Sequence, residues 1–357
     1  MLNMGGPRNA SEVNSYLKGI FLDRDIMRLP FQDTLGNFIA NKRTSKVQHE
    51  YELIGGGSPL EKFSLIQGQK LVENLDSISP ETGPHKAYLG FRYNEPTTKT
   101  AIQQIIKDDV KNVIAFSQYP QYSCSTSGSS FNDLYKLQKQ LDPKQSIKWS
   151  FIDRWGTDPL FVKYYSDAIQ KSLGKLDPSV RDSVPILFSA HSVPLYVVLK
   201  GDSYANEVGA SVGCVMRELR DRGVVNPYKL IWQSQVGPLK WLGPATDEVI
   251  KKYGKEGVYK DLVVVPIAFT SDHIETLYEL GIEYRDLANS VGIKNFVVVE
   301  PPNGNETFTN CITNIVHKQM QNSKRMNYQI LSRCFDCDSE QCGITKNWIK
   351  AQLSSLL

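Results

Sequence analysis

The chain has 357 residues, 41% of them hydrophobic and 22% charged, an ordinary globular composition that excludes collagen, coiled coil and intrinsic disorder. Its 41 Lys and Arg nearly balance 38 Asp and Glu, so the formal charge of +3 offers no field for a polyanion and nucleic acid is not an expected partner. Apolar runs such as Leu262 to Phe269 fall short of the ~18–20 residues of a membrane span. Six cysteines spread over this length are no small disulfide scaffold and favour a reducing compartment.

The sequence opens on Met1-Leu2-Asn3-Met4-Gly5-Gly6-Pro7, the end of a strand entering a glycine turn, and the missing strand body suggests that a leader has been trimmed. Farther on, Leu29, Phe31, Leu35, Phe38 and Ile39 are interleaved with Arg28, Lys42, Arg43 and Lys46. Positions 35, 38 and 39 share one helix face, which suits either a core-facing helix or an interfacial lip over an amphiphilic ligand. Gly55-Gly56-Gly57-Ser58-Pro59 matches neither the dinucleotide fingerprint nor a Walker loop, and reads as a turn for close backbone approach.

Short apolar runs bounded by turn residues follow: Ala87 to Tyr93, Val113 to Phe116, Trp149 to Ile152, Ile186 to Ala190, Leu230 to Trp232, Leu262 to Phe269 and Phe296 to Val299. Helix-patterned segments separate them, among them Thr97 to Lys111, Asp158 to Leu173 and Asp272 to Ser290. This alternation predicts an α/β fold of parallel sheets covered on both faces, with ligands beyond the carboxyl ends of the strands. Ile114-Ala115-Phe116-Ser117 is echoed by Ile267-Ala268-Phe269-Thr270, as two similar halves would produce, and Asp177 to Pro185 reads as a connector.

Of five histidines, His191 directly follows a buried apolar strand, where an imidazole serves packing or catalysis. A second lies in Thr270-Ser271-Asp272-His273-Ile274-Glu275. In a helix starting here, Asp272, Glu275, Glu279 and Glu283 fall on one face. Asp272 and Glu275 also fit a capping arrangement, whereas Glu279 and Glu283 read equally as a solvated face or an acidic track for a cation or protons. Cys334-x-x-Cys337-x4-Cys342 supplies three thiols at metal-binding spacing, and Cys124 could supply a fourth. Zinc and an iron–sulfur cluster both accept four thiolates. The neighbouring Asp336, Asp338 and Glu340 count against a cluster that is already anionic.

The stretches Leu2 to Pro7, Ile54 to Pro59, Gly90-Phe91-Arg92-Tyr93, Gln118 to Ser125, Ile152 to Trp155, Phe188 to Pro194, Trp232 to Pro238, Trp241 to Pro244 and Pro266 to Leu277 resemble ferrochelatase over essentially the whole chain. The cysteine-bearing tail resembles the eukaryotic, mitochondrial branch. The resemblance implies two Rossmann-like domains facing across a porphyrin cleft, the class II chelatase fold. The expected domains are residues 1–176 with an apolar lip at about 20–45, residues 177–310, and a C-terminal helix and cysteine-bearing extension over 311–357. It also implies insertion of Fe²⁺ into protoporphyrin IX with release of two protons.

By the same resemblance His191 takes the pyrrole protons, Glu275 is its partner at the substrate iron, and Asp272 and His273 accompany them, with Glu279 continuing an acidic path. Met4, Arg43, Tyr51, Ser58, Arg92 and Tyr93 match positions around the macrocycle, and Tyr119, Trp155, Trp241 and Leu29 would line an apolar cleft. Cys124, Cys334, Cys337 and Cys342 match the ligands of a 2Fe–2S cluster. A peripheral homodimer on the matrix side of the mitochondrial inner membrane is implied. Asp158 departs from the histidine of many animal members. The alternatives are a haem or porphyrin carrier using His191 as an axial ligand, and a chelatase for another tetrapyrrole.

Overall fold

Valine-, isoleucine- and phenylalanine-rich runs between turn residues become strands that pair only in parallel. The computed structural model describes residues 1–322 and 326–354, so 323–325 and 355–357 of the expected extension lie outside the described residues. The chain divides into two compact units, residues 1–155 with 309–357, and residues 156–308. The segment 156–176, which the sequence places with the N-terminal half, groups with the second unit.

In the first unit, β1 (Leu2–Asn3) pairs with β2 (Gly90–Phe91), and β3 (Asn112–Phe116) pairs with β4 (Lys148–Ile152). A bridge from Leu2 to Ser117, with Gln118 N donating to the Leu2 carbonyl at 3.0 Å, joins the two pairs. The apolar run at 87–93 yields only two paired residues because β1 offers only two partners. The second unit holds β5 (Ile186–His191), β6 (Tyr228–Gln233), β7 (Asp261–Pro266) and β8 (Asn295–Val298), in the order β6-β5-β7-β8. With the Leu2 bridge, the first unit has the corresponding order β2-β1-β3-β4. In both, the strand paired to the outer side, β2 or β6, donates a bond to a prolyl loop, Phe91 N to Pro96 O and Trp232 N to Pro244 O. The echoed tetrapeptides end β3 and follow β7, equivalent places in two similar halves.

Local signals set the helix starts. The Thr97 hydroxyl accepts the Thr100 N–H at 3.2 Å, and Asp158 accepts Leu160 N at 2.9 Å with Pro159 at the first helical position. Asp158 is thus a helix cap. The helix Thr98–Lys107 stops short of the expected Lys111, where Asp109 turns to a positive φ of 55°.

The C-terminal extension is no loose tail. Met326, Ile330, Trp348 and Ile349 are buried in one cluster with Leu2, Ile102, Phe131 and Phe151. Trp348, on the helix Glu340–Ser354, meets the rings of Phe151 at 5.4 Å and Tyr135 at 5.5 Å. Removing so large a buried ring costs about 3–5 kcal/mol. Trp348→Ala is therefore expected to lower the urea unfolding midpoint of the chain markedly, and an unchanged midpoint would mean that the helix does not depend on this core.

Candidate active site

In the second unit, β5 is buried from Ile186 to Ala190 and His191 is its first accessible residue. His191 Nδ1 lies 2.6 Å from the Ser192 carbonyl oxygen. A carbonyl can only accept, so Nδ1 carries the proton and Nε2 of the neutral ring is left as the base. Nε2 stands 3.4 Å from Glu275 Oε1, and the other carboxylate oxygen makes a close ion-pair contact with His273 Nε2. Burial alone would raise the Glu275 carboxyl. The charge and hydrogen bond of His273, with the charge of His191, outweigh it and hold the group down at about 2.

Glu275 begins a π-helix, Glu275–Glu283, whose wider i→i+5 turns replace the start of the expected α-helix at 272–290. The carboxylates once grouped by spacing do different things. Asp272 holds the entry turn, accepting Thr276 Oγ1 at 2.8 Å and Asn303 Nδ2 at 2.7 Å. Glu279 accepts Gln233 Nε2 at 3.0 Å, Ser234 N at 2.8 Å and the Tyr284 hydroxyl at 2.7 Å, fixing the π-helix to the end of β6. The His273 ring lies 4.5 Å from that of Phe269, whose carbonyl accepts the Tyr165 hydroxyl at 2.7 Å. Trp241 belongs to a loop laced to the segment after His191, through Leu195 N to Lys240 O, Leu242 N to Val193 O, and Ser192 Oγ to Leu242 O.

In the first unit, five of the expected substrate-contact residues, Met4, Tyr51, Ser58, Tyr93 and Tyr119, gather at Met4-Gly5-Gly6. Met4 N donates to the Tyr119 hydroxyl at 2.8 Å, and Met4 O accepts Tyr93 N. A Cβ at Gly6 would stand 2.5 Å from Ser58 Oγ and 3.9 Å from the Tyr51 hydroxyl, so this position requires glycine. Arg92 N donates to Asn3 O, while its guanidinium is gripped by Asp23 and Asp133 and also donates from Nε to Ser129. The Tyr93 hydroxyl donates to Asp23 at 2.7 Å. The charge of Arg92 is therefore already matched. Arg43, over the Phe21 ring at 5.8 Å, has no ion pair among the described residues. Trp155 is buried, stacked on Phe116, and donates from Nε1 to Ser117 O. Leu29 is half-buried.

The four cysteines also meet in the first unit. Cys124, at the start of the π-turn after β3, brings its Sγ to 3.4 Å from that of Cys334. Cys337 N donates to Cys334 O, and Cys342 interacts with the thiols of both. Burial first, and then Cys337 and Cys334, push the Cys342 thiol up to about 11, with Lys346 opposing. Cys124 and Cys334 bring their sulfurs within ligand reach of one metal, with Cys337 and Cys342 beside them. Sequence reasoning missed the partners that fix these groups: Thr276, Asn303, Gln233 and Ser234 in one unit, Asp23, Asp133, Arg333 and Lys346 in the other. Spacing carries no signal for Asn303, Gln233, Ser234, Asp23 and Asp133, whose contacts join distant positions, whereas Thr276, Arg333 and Lys346 stand four residues from Asp272, Cys337 and Cys342 and could have been found by that spacing.

An imidazole base beside a carboxylate, at the strand ends of an α/β sheet, is equipment for moving protons and handling a cation. The ferrochelatase family model matches residues 1–320. The mitochondrial ferrochelatase of Bos taurus is 49% identical over 353 residues, 99% of this chain and 84% of that relative. That of Drosophila melanogaster is 48% identical over 356 residues, 99% of this chain and 92% of that relative. Among solved structures, SirB from Bacillus subtilis with Fe³⁺ aligns with a TM-score of 0.47 at 14% identity, covering 70% of this chain and 88% of that one. The chain belongs to the ferrochelatase family. Its activity is the family's, insertion of ferrous iron into protoporphyrin in the terminal step of haem synthesis.

The low value of Glu275 has a consequence for stability. Its folded value of about 2 lies below its ordinary 4.5, so its contribution is full above pH 4.5 and is lost as pH falls toward 2. Glu275→Gln is expected to be less stable than the parent above pH 4.5, with the gap closing toward pH 2. Urea midpoints measured across this window check it, and a gap independent of pH would deny Glu275 its ion pairs.

Proposed function

We propose that His191 accepts the pyrrole protons and that Glu275 holds the resulting imidazolium and meets the incoming iron. The observation that carries this is the 3.4 Å approach of His191 Nε2 to Glu275, with Nδ1 committed to a carbonyl. Metal insertion exchanges two N–H protons for one Fe²⁺, so it needs a base that charges reversibly near neutral pH and an anion beside it. An imidazole nitrogen and a carboxylate oxygen are also acceptable donors to Fe²⁺ as substrate. His273 steadies the second oxygen of Glu275, and Asp272 acts through the turn it holds.

Porphyrin binding falls to Met4, Tyr51, Ser58, Tyr93 and Tyr119, with Trp155 and Trp241 supporting the loops beside their two groups of residues. Arg43 is the cation for a propionate, because Arg92 is already engaged by Asp23 and Asp133. Cys124, Cys334, Cys337 and Cys342 would hold a 2Fe–2S cluster. When bound, such a cluster supplies a crosslink among four thiolates and a one-electron couple.

The chain would work as a homodimer on the matrix face of the mitochondrial inner membrane. The relatives are named mitochondrial, and no described helix is long and apolar enough to cross a membrane. Phe31 and Phe38, at 88% and 61% exposure, give the expected lip an apolar surface.

Anaerobic turnover with Fe²⁺ and protoporphyrin tests the reading and separates an enzyme from a porphyrin carrier, which would bind without insertion. His191→Ala is expected to abolish insertion while porphyrin binding persists, and Glu275→Gln to lower turnover at least ~10²-fold. Turnover of His191→Ala within tenfold of the parent would overturn the assignment. Separately, Phe38→Asp is expected to weaken flotation with anionic liposomes, and equal flotation would remove this side chain from any membrane contact.

A further inference from the structure

His191 and Gln233 are register partners on β5 and β6, so their side chains stand side by side on one face of the sheet. Gln233 is buried and uncharged, and its amide is committed to neighbours at both ends. Its Oε1 accepts the Ser189 hydroxyl at 2.7 Å. Its Nε2 donates to the Glu279 carboxylate at 3.0 Å and to the backbone carbonyl of Glu275 at 3.3 Å. A carbonyl and an ionised carboxylate only accept, whereas a hydroxyl can donate, so one orientation of the amide satisfies all three partners. Thr246 Oγ1, also buried, backs Ser189 Oγ at 3.4 Å from the helix Thr246–Glu256. Ser192 N donates to Gln233 O at 2.8 Å and ties the two strands together one residue past His191.

These bonds bear on where Glu275 stands. His191 is held by β5, but the main chain of Glu275 lies outside the sheet and begins the π-helix. Gln233 bonds the first residue of that helix and the residue four later, and does so from the register position beside His191. Glu279 has Ser234 N and the Tyr284 hydroxyl as further donors, so loss of the amide leaves the helix attached and frees its first turn.

We propose that Gln233 is a positioning residue for metal insertion: its amide ties the start of the π-helix to the sheet and so sets the approach of Glu275 to His191. The proposal rests on the reading of that pair as the site of proton removal and iron binding. Misplacing a reacting group by about 1 Å costs up to ~10²-fold in rate.

The test is anaerobic steady-state insertion of Fe²⁺ into protoporphyrin by the full chain. Gln233→Met keeps the length of the side chain and removes both donated bonds. Its kcat is expected to fall at least tenfold, with the KM for porphyrin within twofold of the parent. Gln233→Glu sets a second carboxylate against Glu279 and is expected to fall further. In a Glu275→Gln background, Gln233→Met is expected to cost less than twofold, because the residue it positions no longer acts. A kcat unchanged in either single variant, a porphyrin KM that rises as kcat falls, or the full tenfold cost in the Glu275→Gln background overturns the proposal.

Should Gln233→Met not fold, Ser189→Ala takes its place. It removes the donor that orients the amide, so kcat is expected to fall at least threefold, and an unchanged kcat is equally fatal. Hydrogen exchange separates this inference from the reading beneath it. The amides of residues 275–283 are expected to exchange at least tenfold faster in Gln233→Met, and exchange at the parental rate overturns the anchoring. Parental turnover in Glu275→Gln alone sinks the reading of the pair, while exchange still reports the hold of Gln233 on the π-helix.

Discussion

A buried parallel strand cannot hold a charged side chain along its length, and this constraint arranges the chemistry of the chain. β5 lies between β6 and β7 and is buried from Ile186 through Ala190. Both neighbours run the same way, so the polar residues that follow their buried stretches emerge at the same end of the sheet. His191 ends β5, Gln233 and Ser234 end β6, and the turn after β7 delivers His273 and Glu275. The sheet selects the end of the strands, and the π-helix selects which carboxylate reaches the imidazole.

The charges that matter are paired before any substrate arrives. Glu275 has two imidazoles and Arg92 has two carboxylates. Buried ions left unpaired are expensive, so these groupings act as positional restraints as much as sources of reactivity. The neighbouring acids Asp272 and Glu279 are saturated by hydrogen-bond donors and fix the local backbone. Of the row of acids grouped by spacing, Glu275 therefore contacts two imidazoles, while Asp272 and Glu279 build its support.

The C-terminal extension shows the same economy. Trp348 and Ile349 join the hydrophobic core of the first unit, so the helix carrying Cys342 and Lys346 is docked by apolar burial. That packing gives the cysteine loop a fixed base, on which sulfurs from positions more than 200 residues apart meet, as the Cys124–Cys334 contact shows.

The sequence by itself determined the α/β class, most strand positions and the strand-end location of His191. These are local matters of hydrophobic period, turn chemistry and nearest neighbours, which a linear pattern records. It also carried the family resemblance, because long motifs survive as contiguous strings. The tertiary structure decided which of the acids contacts an imidazole, that the charge of Arg92 is already matched, and that the chain divides near residue 155. Counting along the chain finds Asp336, Asp338 and Glu340 beside the thiols, whereas folding pairs Asp338 with Arg28. Charge interactions depend on distance in space and on burial, and neither is written in the spacing of residues along the chain.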